Sequence, residues 1–180
     1  MSASKSSRRG WLAAAAGLAL AGGGAGLAWR TARRQSQSLA EAEQLFWQQQ
    51  FGQLDGGMLS MRAFKGRPLV LNFWATWCPP CIEELPLIDN FFMEYKKNGW
   101  QVLGLAVDQA APVTRFLTRS PLSFPVALAG FPGIEVSRSL GNSSGALPFT
   151  VVFGSKGDVL HRKMGKLSRD DLRLWERLPV

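Results

Sequence analysis

The sequence predicts an α/β domain with a central mixed β-sheet and helices on both faces. Three observations carry this expectation. Leu69–Trp74 and Gln101–Val107 are near-continuous apolar runs of strand length, the composition of strands buried on both faces. Segments with helical signals follow each of them. Phe149–Phe153 and Val159–Arg162 then flank Gly154-Ser155-Lys156-Gly157-Asp158, a hairpin turn by composition, before a closing helix.

Element by element, the chain opens with the basic residues Lys5, Arg8 and Arg9 and an uncharged apolar run from Trp11 to Trp29. This pattern predicts that residues 1–34 are an export signal or a membrane anchor, leaving 35–180 as the folded domain. The run is mostly Ala and Gly, which favours export over a firm anchor. Ser7-Arg8-Arg9-Gly10-Trp11-Leu12 resembles a twin-arginine signal, and Ala19-Leu20-Ala21 and Gly26-Leu27-Ala28 offer small residues for cleavage. Arg30, Arg33 and Arg34 close behind the run leave its orientation, and any tether through residues 11–29, open. An Ala/Gly tail on a cytosolic protein is the alternative.

Residues 36–50 read as an amphipathic helix with Leu39, Ala42, Leu45 and Phe46 on its apolar face, a pattern that Phe51 to Gly57 breaks. Met58 to Met61 and the turn at Lys65-Gly66-Arg67-Pro68 predict a short strand or hairpin. Pro79-Pro80 suits a first helical turn, where missing N–H groups cost nothing. That helix runs to about Lys97, with Pro86 kinking it and Asn98-Gly99 ending it. A short helix over Pro112–Arg119 and a brief strand over Phe124–Leu128 follow. Ser168 is the N-cap of the last helix, with Asp170 and Asp171 in its first turn.

The 180 residues hold 21 basic and 13 acidic side chains, a net charge of +8. Six of the basic residues and no acid lie in residues 1–34, so the remaining 15 against 13 make the domain nearly neutral. A nucleic-acid binder concentrates basic charge on its folded part, so no nucleic-acid partner is expected.

Only Cys78 and Cys81 occur, three apart. A bond between them closes almost no loop and adds little stability. Two Cys and the single His161 fall one short of a usual structural zinc set, and His161 reads as a surface strand residue. Neither a metal nor an organic cofactor is expected. What remains is redox chemistry. A cysteine at a helix N-terminus faces unpaired N–H groups and partial positive charge that stabilise its thiolate, making Cys78 the nucleophile. Cys81, one turn on and more buried, resolves the mixed disulfide. Pro79 and Pro80 remove two donors, which works against that stabilisation, and they also stiffen the loop.

Leu71-Asn72-Phe73-Trp74-Ala75-Thr76-Trp77-Cys78-Pro79-Pro80-Cys81, with Glu84-Leu85-Pro86 behind it, resembles the TlpA/ResA group of thioredoxin-like proteins, relatives of the AhpC/TSA and Redoxin proteins. These are exported, commonly membrane-tethered thiol–disulfide oxidoreductases. The resemblance covers roughly residues 50–175 and implies a thioredoxin-like fold. It makes Pro148, in Gly145-Ala146-Leu147-Pro148-Phe149-Thr150, the cis-proline that holds a substrate's extended chain. Glu84 matches an acidic residue that tunes the pair or moves protons; the alternative is a first-turn carboxylate favouring the helix dipole. Trp77 matches an aromatic residue flanking the site, while Trp74 reads as core. Asn72 stands where cytosolic thioredoxins carry a buried Asp, and its amide cannot accept a proton from the resolving thiol, so Glu84 or water must serve.

The segment from Gln109 to Asn142 matches no motif and includes the group's usual insertion region. The resemblance implies a periplasmic reductant of disulfides in exported proteins such as apocytochrome c or metalloprotein assembly factors. Its electrons would come from a DsbD/CcdA-like membrane thiol donor. A disulfide oxidase or isomerase is one alternative; a non-catalytic thiolate metal chaperone, lacking the Met and His ligands such sites recruit, is another.

Overall fold

Leu69–Trp74 (β3) and Gln101–Ala106 (β4) have no exposed position, and they pair in parallel at the centre of the sheet. In a computed structural model of the chain, which describes residues 29–34, 36, 37 and 39–179, five further strands flank them. Gln50–Gly52 (β1) and Met58–Ser60 (β2) form one edge, joined to the centre through Val126–Leu128 (β5). Phe149–Phe153 (β6) and Val159–Met164 (β7) form the other. The order is β2-β1-β5-β4-β3-β6-β7; β3, β4 and β5 are parallel to one another and the outer pairs antiparallel. The expected mixed sheet is present.

Helices cover both faces. Residues 39–46 (α1), Pro79–Tyr95 (α2), Ala110–Arg119 (α3), Gly133–Ser139 (α4) and Arg169–Trp175 (α5) divide between two apolar clusters. One cluster joins Val70 and Trp74 of β3 to Cys81, Leu85, Ile88 and Phe91 of α2, Val113 of α3, and Leu172 and Trp175 of α5. The other joins Leu69, Leu71 and Phe73 to Phe46, Trp47, Met61 and Leu140, with Ile134 and Val136 of α4 packed on it. Alternate residues of β3 supply opposite faces, as the two-residue repeat of a strand requires.

Some boundaries differ from the expected ones. Helix α1 stops at residue 46, because Trp47 leaves the helical path to bury its indole and donate from Nε1 to the Gly157 carbonyl (2.8 Å). Phe46 stacks on Phe153, whereas Leu45, expected on the apolar face, is exposed. Phe51 pairs in β1 rather than merely ending a helix. Helix α2 ends at Tyr95 and tightens into a 3-10 turn over Lys96–Asn98, closed by Gly99 at φ 93°, a left-handed backbone that glycine adopts without a Cβ penalty. Pro86 sits inside α2. Helix α4 was not foreseen; it lies in the unmatched segment.

The chain separates into two compact units, Met1–Ser38 and Leu39–Val180. In the first, the described residues are helical, with the Arg33 guanidinium 5.2 Å from the centre of the Trp29 ring. Of the signal or anchor expected over residues 1–34, residues 29–34 are described and the rest lie outside the described residues. Among the described residues no helix is long and apolar enough to cross a membrane.

Candidate active site

The strand registers gather three loops at one end of the sheet. Pairing of Trp74 with Ala106 puts the turns after β3 and β4 side by side, and pairing of Phe73 with Phe149 brings Pro148 to the same end. Cys78 follows β3 and is the N-cap of α2, with Pro79 and Pro80 as the first helical residues. It is 5 % exposed, Cys81 is fully buried, and the two form a disulfide. The Leu147–Pro148 peptide is cis, and the Pro148 carbonyl accepts from Gly165 N–H (2.9 Å).

The first turn of α2 differs from the expectation of free donors. Pro79 and Pro80 have no N–H, and the N–H groups of Cys81 and Ile82 both donate to the Cys78 carbonyl (3.1 and 3.2 Å). None of the first four helical residues offers a backbone donor to a sulfur here. The helix dipole still favours a Cys78 thiolate.

Glu84 is not a first-turn carboxylate. Because the helix begins at Pro79, its first turn holds no acid, and Glu84 faces the sheet, 1 % exposed. The Asn72 amide donates to Glu84 Oε1 (2.8 Å) and to Thr150 Oγ1 (3.0 Å), and Leu167 N–H donates to Glu84 Oε2 (2.7 Å). Burial pushes the Glu84 carboxyl up to about 7, against the opposing pull of Leu167 N–H, the Asn72 amide and Lys166. A carboxyl poised there exchanges protons near neutrality, while the Asn72 amide beside it only orients.

Trp77, next to Cys78 in the chain, is 56 % exposed, and Trp74 is buried in the core as expected. His161, expected at the surface, is half-buried and its Nδ1 accepts from the Trp175 indole (3.1 Å). Sequence reasoning missed two contributors. Thr76 donates from its N–H and its hydroxyl to Asp108, which lies just beyond β4 (2.9 and 2.5 Å). The loop after β7 supplies two backbone donors, Gly165 N–H to Pro148 and Leu167 N–H to Glu84. A lone carboxylate ending an apolar strand was a signal for Asp108; backbone donors leave none.

A thioredoxin fold with a Cys-x-x-Cys disulfide at the mouth of its first long helix defines a thiol–disulfide oxidoreductase. The Redoxin family model matches residues 48–174, and the chain belongs to that family. The thiol-disulfide oxidoreductase ResA of Bacillus thuringiensis subsp. konkukian is 31% identical over 120 residues, covering 66% of this chain and 67% of its own. Among solved structures, DsbF of Mycobacterium tuberculosis superposes with a TM-score of 0.61 at 26% identity, over 73% of this chain and 92% of its own. A thioredoxin-related protein of Neisseria meningitidis serogroup B gives 0.62 at 29% identity, over 71% and 98%. The protein is an enzyme of this chemistry, acting on protein disulfides.

Proposed function

We propose that this chain is an exported dithiol reductant. The Cys78 thiolate attacks one sulfur of a substrate disulfide, forming a mixed disulfide and releasing the other sulfur as a thiolate. Cys81 then attacks Cys78, its proton passing through Glu84, and the second substrate sulfur leaves. The substrate gains two electrons and the Cys78–Cys81 disulfide returns. Pro148 holds the substrate chain, and Trp77 packs against it.

The observation that carries the direction is the α2 first turn without a free backbone donor. A thiolate left unbonded there is less stable, so the dithiol form is a better reductant. The basic, apolar leader supports a periplasmic location. Disulfides of exported proteins, apocytochrome c or metalloprotein assembly factors among them, are the substrates this reading favours, with a DsbD/CcdA-like membrane thiol donor reducing the pair.

Equilibration with glutathione tests the direction. The expected potential lies nearer the thioredoxin end of the range, roughly −270 mV, than the DsbA end, roughly −120 mV. Trapping of free thiols in cells is expected to find the pair reduced, and oxidised once the membrane donor is deleted. A potential close to that of DsbA, with a disulfide at steady state, makes the protein an oxidase instead.

A further inference from the structure

Asp108 is a buried carboxylate that the exchange steps above do not use. It is 5 % exposed, and each of its hydrogen bonds is one it accepts. Oδ2 takes the Thr76 N–H (2.9 Å) and the Thr76 hydroxyl (2.5 Å), and Oδ1 takes the N–H of Gln109 (2.7 Å). Three donors converge on its two oxygens, and no cation is among its partners in the described residues. Thr76 is two residues from Cys78, across a turn in which Cys78 N–H donates to the Ala75 carbonyl (3.2 Å). With Cα atoms about 3.8 Å apart along the chain, the Asp108 charge lies on the order of 10 Å from Cys78.

The other charged groups on the surrounding elements do not offset it. On α2, Glu83 is paired with Lys166 of the β7–α5 loop, and Glu84 adds negative charge once it ionises. The first turn of α3 holds no acid and none of its basic residues, the nearest being Arg115; on α4, Glu135 and Arg138 pair with each other. The dipole of α2 favours a thiolate at Cys78, and a negative charge on the buried Asp108 side chain opposes it.

Building on the reductant reading, we infer that Asp108 is a positioning residue that holds the Thr76–Trp77 turn against β4 and, by its buried charge, disfavours the Cys78 thiolate, keeping the dithiol a strong electron donor. The equilibrium it biases is Cys78–Cys81 disulfide plus two glutathione thiols giving the dithiol plus glutathione disulfide, a balanced transfer of two electrons and two protons. Destabilising the thiolate draws this equilibrium toward the protein disulfide, most strongly at a pH where Cys78 ionises.

The test uses the purified full chain as wild type, Asp108→Asn, Asp108→Glu and Thr76→Val. The pH dependence of Cys78 alkylation at limiting reagent reads the thiol pKa, and the glutathione equilibrium is measured at about pH 9, above the ordinary thiol pKa of about 8.5. Asp108→Asn is expected to make the Cys78 thiol about tenfold more acidic and to move the equilibrium several-fold toward the dithiol. Asp108→Glu, which keeps the charge, returns both toward wild type. Thr76→Val loses one bond but no charge, and leaves the pKa at or above the wild-type value. An unmoved pKa in Asp108→Asn overturns the inference, as does a Thr76→Val variant whose pKa falls, which remains decisive if Asp108→Asn does not fold. A wild-type chain that does not exchange with glutathione overturns the reductant reading and this inference together; a working wild type with an unmoved Asp108→Asn overturns this inference alone.

Discussion

Cys78 and Cys81 are three residues apart, yet α2 buries them to different degrees. Both belong to one apolar cluster with Leu85 and Ile88, but Cys78 caps the helix and keeps 5 % of its surface exposed, while Cys81 is fully buried. Alkylation of the reduced chain with limiting reagent is therefore expected at Cys78 first. Cys78→Ser should abolish turnover, and Cys81→Ser should accumulate a mixed disulfide with substrate; preferential labelling of Cys81 reverses the roles. Glu84 carries the pH dependence. Its folded pKa of about 7 lies above the ordinary 4.5, so the folded state binds its proton more tightly than the unfolded one. Its contribution to stability is full below about pH 4.5 and falls as pH rises to 7. The loss amounts to about 3 kcal/mol, at about 1.4 kcal/mol for each tenfold difference in proton affinity between the two states. Glu84→Gln removes that slope. Urea titrations between about pH 4.5 and 8 check it, and a wild-type stability that rises with pH across that window sinks the assignment.

At the scale of elements, α2 and the loop after β7 do most of the positioning. Along α2, Cys81, Glu84, Leu85, Ile88 and Phe91 bury one face at spacings of three and four, which carries both the resolving thiol and the carboxyl onto the sheet. The β7–α5 loop reaches back across the same end of the sheet, giving one N–H to Pro148 and another to Glu84. The parallel β4 is drawn in equally closely. A Cβ at Gly104 would stand 3.0 Å from the Phe124 ring and 3.1 Å from the Trp74 indole nitrogen, so glycine is what lets these rings lie over the strand. Pro148→Ala is expected to slow reduction of a protein disulfide several-fold and to prolong mixed-disulfide complexes, with circular dichroism close to wild type. Wild-type turnover by that variant takes away its substrate role.

Over the whole molecule, basic charge and folded core fall in different parts of the chain. Residues 1–34 carry six cations and no acid, while the rest is close to neutral and holds both apolar clusters. A reporter enzyme fused behind residues 1–34 is expected outside the cytoplasm, as measured by fractionation. Replacing Arg8 and Arg9 by Lys blocks export by the twin-arginine route and barely changes it by the general route, so the same fusion separates the two. Retention of the unaltered fusion in the cytoplasm rejects the exported reading.

The long elements and the redox pair were legible because their signals are local. Leu69–Trp74 is apolar at nearly every position because both its faces are covered, and Pro-Pro ahead of a periodic helix marks a first turn wherever the rest of the chain goes. The short elements were not. Three-residue β1 and seven-residue α4 have too few positions to show a period, and exist because the Phe51 side chain and the Ile134–Val136 face find a cluster to cover. The site divides in the same way. By itself the sequence determined which residues carry the sulfur chemistry and that Asn72 cannot move a proton. Tertiary structure alone decided that Glu84 turns inward to Asn72 and Leu167, and that Asp108 grips the turn before Cys78. Those contacts join residues 12, 83 and 32 positions apart, and such pairings are set by strand register and loop path rather than by any local pattern.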